Sequence, residues 1–292
     1  MKRRQFLSAA AASAAVSSLP INVASPRTVS EPKLKLGLVT YNWGKSWDVP
    51  TVIKNCAATG FAGVELRSTH KHGVEIDIST AQRATVKKLF ADSPVKLVGL
   101  GSACEYHAVD PAVLKQNIQE TKDFIRLCKD TGGSGVKVRP NGLPKDRPVE
   151  KTIEQIGKSL NEVGRFAADH GVQIRVEVHG RGTSEIPHMQ SIMEIADHPS
   201  VTVCWNCNPA DLNGAGLEKN FRSLQNRIST IHIHDLRNQK YPWTELFPLL
   251  NEVPVKKDGF TGWTLLEEGS VPKDIVAAMK ENRTAWESLV KN

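Results

Sequence analysis

The chain has 292 residues, 40% hydrophobic and 24% charged, with 21 Gly and 16 Pro scattered along it; this excludes fibrous and disordered classes and is ample for a buried core. The formal charge of +7 brings nucleic acid and anionic substrates into question. Three of those charges, Lys2, Arg3 and Arg4, fall in an N-terminal segment with the pattern of an export signal, and without them the balance is +4, modest for a nucleic-acid surface.

The N-terminal run MKRRQFLSAAAASAAVSSLP joins a basic start to a weakly apolar, Ala-rich middle, with Arg3 and Arg4 just ahead of Phe6 and Leu7. It predicts a twin-arginine signal peptide and linker over residues 1–32, an extracytoplasmic or periplasmic location, and the twin-arginine export machinery as a partner. The stretch from Phe6 to Leu19 is diluted by Ser and too short to span a bilayer, so no stable membrane anchor is expected. Proteins on that route are generally exported folded, often with a metal or cofactor already loaded, which motivates a search for a metal site. The five Cys, at 56, 104, 128, 204 and 207, are an odd number that argues against a complete disulfide framework. Cys204 and Cys207 form a lone CxxC and read as core thiols.

From Lys33 onward, short apolar runs alternate with longer amphipathic stretches, the pattern of parallel strands joined by helices. The expected strands, in order, are Leu36 to Tyr41, Gly63 to Leu66, Val95 to Leu100, Gly135 to Val138, Gln173 to Val178, Val201 to Trp205, Ile228 to His234 and Trp263 to Glu267. Helical spacing is clearest from Pro111 to Thr131, Val149 to His170 and Lys273 to Val290. Eight such units in the remaining length predict a single-domain α/β fold over residues 33–292, a (β/α)8 TIM barrel. VTYNWGKSW, after the first strand, carries no Gly-rich dinucleotide fingerprint, which argues against an open doubly wound sheet.

In such a barrel the active site forms at the carboxyl ends of the strands, so polar residues closing an apolar run are candidates. They are Glu65 and Arg67, then Glu105 and His107, Lys137 and Arg139, Glu177 and His179, Asn206 and Asn208, His232 and His234, and Glu267 and Glu268. Period-two alternation puts Glu177 with His179, and His232 with His234, on one face, and the helix-covered outer face leaves the interior for them. Carboxylates and an imidazole converging at one mouth need a cation between them. Glu177, His234 and Glu267 offer oxygen and nitrogen ligands suited to one divalent metal, Mn, Co, Mg or Zn.

The chain resembles the sugar phosphate isomerase/epimerase family with xylose isomerase-like barrels from about Lys35 to the C-terminus. The resemblance is carried by GFAGVELR, IRVEVHG, VCWNCNPAD, IHIHD and FTGWTLLEE. It implies metal ligands at Glu177, Asn206, His234 and Glu267, with Asn206 standing where the family usually has Asp and Pro209 where a His commonly follows. The lower ligand charge should loosen a divalent ion. It further implies a small carbohydrate substrate and proton transfer next to a carbonyl, with Glu177 and Glu267 as acid/base groups and the metal stabilising an enediolate. His107, Lys137, Arg139, His179, Glu65 and Trp43 would then bind the substrate. Two other functions compete: a dehydratase or lyase using the same enolate chemistry on keto sugars or keto glycosides, and a sugar-binding barrel without catalysis. Nucleic-acid repair is disfavoured by the modest charge and the missing additional His ligands.

Overall fold

The computed structural model describes residues 33–256 and 259–291; the expected export segment, 1–32, lies outside the described residues. Eight parallel strands close a barrel: β1 (Lys35–Val39), β2 (Gly63–Arg67), β3 (Lys96–Glu105), β4 (Gly135–Arg139), β5 (Gln173–Glu177), β6 (Val201–Asn206), β7 (Ile228–Ile233) and β8 (Trp263–Leu266). β8 closes on β1 in the register Lys35↔Trp263 to Leu38↔Leu266. Eight helices cover it: α1 (Val49–Thr59), α2 (Thr80–Ala91), α3 (Pro111–Thr131), α4 (Val149–His170), α5 (Ile186–Ile195), α6 (Leu217–Leu224), α7 (Trp243–Glu252) and α8 (Ile275–Lys291). The fold is the TIM barrel that the alternation predicts.

Local chemistry sets the helix ends. α3 starts where the Asp110 side chain accepts the Ala112 N–H at 2.8 Å with Pro111 at its first position, and stops at Gly132, whose φ of 89° is left-handed; Pro there loses no needed donor and Gly carries no Cβ penalty. No helix among the described residues is long and apolar enough to cross a membrane. All five Cys are buried and unbridged.

Two features depart from the expected elements. β3 runs on to Glu105, with a register shift against β4 between Gly101 and Glu105. Beyond the barrel ends, Asn141–Gly142 and Gly180–Arg181 pair as a short parallel ladder, tying the loop after β4 to the loop after β5.

The interior is built in columns, because alternate residues of a strand share a face. β5 supplies Arg175, Glu177 and then His179 just beyond its end; β4 supplies Gly135, Lys137 and Arg139; β7 supplies Thr230, His232 and then His234. Arg175 plugs the lower barrel. It is fully buried and donates to Val98 O at 3.1 Å, Ser134 Oγ at 2.9 Å and Gln173 Oε1 at 3.2 Å. Room for its guanidinium comes from Gly135, where a Cβ would lie 2.3 Å from Arg175 Cζ. Above this plug the columns turn acidic and basic together.

Candidate active site

His232 is the hub. Its ring is fully buried, with Nδ1 3.5 Å from Glu177 Oε1 and 3.3 Å from Glu267 Oε2, and Nε2 3.5 Å from Glu65 Oε1. Glu177, 2% exposed, has a donor at each oxygen: Lys137 Nζ at 2.9 Å from Oε2 and Asn206 Nδ2 at 3.1 Å from Oε1. Glu267 is more open, at 12%. Above this tier a cavity of about 230 Å³ opens between Tyr41, Arg67, Lys137, Arg139, Glu177, His179, Asn206, His234, Glu267 and Gly269.

The charges hold each other. Burial pulls Lys137 towards neutrality, but the carboxylates of Glu177, Glu267 and Glu65 outweigh it and keep its pKa above the ordinary lysine value. Burial would raise Glu177, yet Lys137 and His232 hold it well below the usual carboxylate range. Burial likewise disfavours the His232 cation; Cys204, Glu65 and Glu267 overcome this and raise its pKa well above the ordinary value. Glu267 is raised by burial and by Glu177, but ends below its usual value through His232 and Lys137. His179, at the mouth, is lowered by burial. Both acids are thus ionised in the described cluster.

Donor atoms of Glu177, His232 and Glu267 all lie within 4.8 Å of one another, a grouping that could hold a metal ion. The expected imidazole ligand was His234; the imidazole whose nitrogen groups with the two carboxylates is that of His232. Two residues along a strand rise about 6.6 Å, and it is His232 that stands level with the two carboxylates, while His234 Nδ1 is hydrogen-bonded to the Glu267 carbonyl at 2.7 Å. Asn206 belongs to the centre: its Nδ2 donates to Glu177, and its buried Oδ1 has no hydrogen-bond partner. That orphaned acceptor and the unpartnered Nδ1 of His232 suit a cation bound by Glu177, His232, Glu267 and the Asn206 carbonyl oxygen.

The expected substrate-binding residues divide. Lys137, Arg139 and His179 line the cavity, and His179 Nδ1 lies 3.0 Å from Asn141 Oδ1. Glu65 does not; it is fully buried below the cavity, facing His232. His107 sits off to the side near Glu105, lining a separate cleft with Asn141 and Arg181. Trp43 is core, 1% exposed with its indole N–H donating to Ser270 O at 2.7 Å. Tyr41 and Gly269 line the cavity without having been expected there; Tyr41 is the next inward position after Val39, a signal the period of two already contains.

The chain matches the xylose isomerase-like TIM barrel family model over residues 53–286 and belongs to that family. Its barrel is similar to solved structures of known proteins. D-psicose 3-epimerase from Clostridium cellulolyticum H10, crystallised with D-tagatose, superposes with a TM-score of 0.73 at 14% identity, covering 88% of this chain and 99% of that one. The 3-keto-D-glucoside 4-epimerase of E. coli gives 0.73 at 12% identity, covering 87% and 99%. The IolI protein with a bound zinc atom gives 0.71 at 17%, covering 88% and 98%. Such identities establish the shared fold. No curated protein sequence matches the chain.

Proposed function

We propose that this protein is a carbohydrate isomerase or epimerase that moves a proton at a carbon next to a carbonyl, with the help of one divalent metal. The observation that carries the reading is the pair Glu177 and Glu267, both within 3.5 Å of one nitrogen of His232 and both opening on one cavity. The epimerase activities of the structural neighbours favour the same chemistry.

Glu177, His232, Glu267 and Asn206 Oδ1 would hold the metal. When bound, it polarises the substrate carbonyl and stabilises the developing enediolate, which a proton of such weak acidity requires. The chain's own groups do the rest. Glu267, the more exposed carboxylate, takes or returns a proton at the substrate carbon. Glu177, ionised and fixed by Lys137 and Asn206, serves as the second acid/base group. Lys137 Nζ faces the cavity from its floor and donates to the oxygen on which charge develops. His179 and Arg139 position hydroxyls at the mouth.

Glu267→Gln and Glu177→Gln should each abolish deuterium exchange from solvent into ketoses such as D-fructose and D-tagatose, with circular dichroism unchanged; an active double variant would sink the acid/base assignment. Elemental mass spectrometry should find about one equivalent of divalent metal in the wild type and none in His232→Ala. We also propose export through residues 1–32 by the twin-arginine route, tested by cell fractionation of the wild type and an Arg3→Lys/Arg4→Lys variant.

A further inference from the structure

We infer that the substrate carries a carboxylate, held at the cavity mouth by Arg67; this rests on the isomerase reading. Arg67 ends β2, across the barrel from Glu177, and lines the same cavity. Its guanidinium lies over the Tyr41 ring, 4.6 Å from the centroid, and among the described residues it has no salt bridge and no side-chain hydrogen bond. Every other cation of the centre is engaged by an acid: Lys137 by Glu177, His232 by Glu65, Glu177 and Glu267, and Arg139 by Glu105 at 3.1 Å. Arg139 also keeps a buried, unpartnered Nε.

The cavity is therefore polarised. Its floor presents the carboxylates Glu177 and Glu267, and its mouth presents a guanidinium with unspent donors, locked in direction by an aromatic face. A planar fork of N–H groups matches a carboxylate in two parallel hydrogen bonds. Phosphate sites characteristically recruit backbone N–H groups at a helix N-terminus or Gly-rich loop, and no first-turn residue of α1 to α8 lines this cavity. A keto sugar acid would place its carbonyl at the floor and its carboxylate on Arg67.

Titration calorimetry on the full chain with D-fructuronate, D-tagaturonate, D-fructose 6-phosphate and D-fructose tests this, in wild type, Arg67→Gln and Arg67→Lys. A ketouronate should bind at least about tenfold more tightly than fructose, the margin of a charged hydrogen bond. Arg67→Gln should remove that margin while leaving fructose within about twofold, and Arg67→Lys, which keeps the charge but not the fork, should fall between. Neither ketouronate binding, no preference over fructose, or an equal loss for both in Arg67→Gln would overturn the inference; preference for fructose 6-phosphate would overturn the carboxylate in favour of a phosphate. Deuterium exchange on the same ligands separates the two readings. Selective binding without exchange leaves Arg67 in place and defeats the isomerase, whereas exchange on fructose with no ketouronate preference does the reverse.

Discussion

Replacing Lys137 by Met isolates the ion pair on which the centre is built. Lys137 Nζ and Glu177 Oε2 are 2.9 Å apart and both side chains are 2% exposed, so neither charge is hydrated by bulk water. Without the ammonium, Glu177 keeps only the Asn206 amide at 3.1 Å and His232 Nδ1 at 3.5 Å. Breaking a buried pair from one side costs about 3–5 kcal/mol, because the remaining charge is uncompensated. In a chain of this size each kcal/mol lowers Tm by about 2–4 °C, so Lys137→Met should melt about 6–20 °C below wild type. Glu177→Gln strands the ammonium instead, at a similar cost. The double variant removes both charges from a dry site and should lose less than the sum of the singles, by a coupling of about 2 kcal/mol. Scanning calorimetry of the four proteins in chelator measures this directly. Additive losses, with a coupling below about 0.5 kcal/mol, would refute the pair as an energetic unit.

Three further outcomes follow from neighbouring groups. If His232 is the proposed imidazole ligand, metal binding would expel the proton that it retains through its raised pKa, so divalent-ion affinity should rise with pH and release protons; titration in buffers of different ionisation enthalpy would show no proton release if His232 were not a ligand. Asn206→Asp should tighten divalent-ion binding and, in chelator, lower Tm by setting a second carboxylate against Glu177 Oε1; unchanged affinity would remove residue 206 from the ligand set. Asp211, which accepts the Tyr241 hydroxyl at 2.8 Å and the Asn208 N–H at 2.9 Å, has its pKa raised by burial to about 7. Its folded value lies above its unfolded one, so its contribution is complete below about pH 4 and is lost as pH rises through about 7. The urea midpoint should therefore fall from about pH 5 to about pH 8, and less so in Asp211→Asn; equal slopes would refute the assignment.

The barrel was legible because each strand is a short apolar run and the longer helices carry a clear period, with side-chain caps at α1, α2 and α3, all local signals. The face of each interior residue was legible too, since alternation needs only sequence: Lys137, Arg139, Glu177, His179 and Glu267 all reach the cavity. Height was not. His232 and His234 share a face, and which one meets Glu177 depends on the stagger between strands that closure imposes, visible only in pairings such as Asn206↔His232. Glu65 missed the cavity for the same reason, lying one step below Arg67 on β2. Trp43 failed differently: an aromatic in a loop can stack on a ligand or fill the core, and the chain decided by folding the loop onto Ser270. The ladder joining Asn141–Gly142 to Gly180–Arg181 is too short to leave a periodic trace.

Asn206 links these observations. Around His232 stand three carboxylates, Glu65, Glu177 and Glu267, against the cations of Lys137 and His232 itself. An aspartate at 206 would add a fourth carboxylate beside Glu177, and the buried cluster would then be less stable without a bound cation. The amide instead donates to Glu177 at 3.1 Å and leaves Oδ1 free of partners. One side chain is thus a counter-dipole to Glu177 and, under the proposed metal reading, would also be a neutral oxygen ligand. The consequence is a separation of roles: Lys137 and Asn206 secure the fold around Glu177, and the proposed metal would be left to act on the substrate.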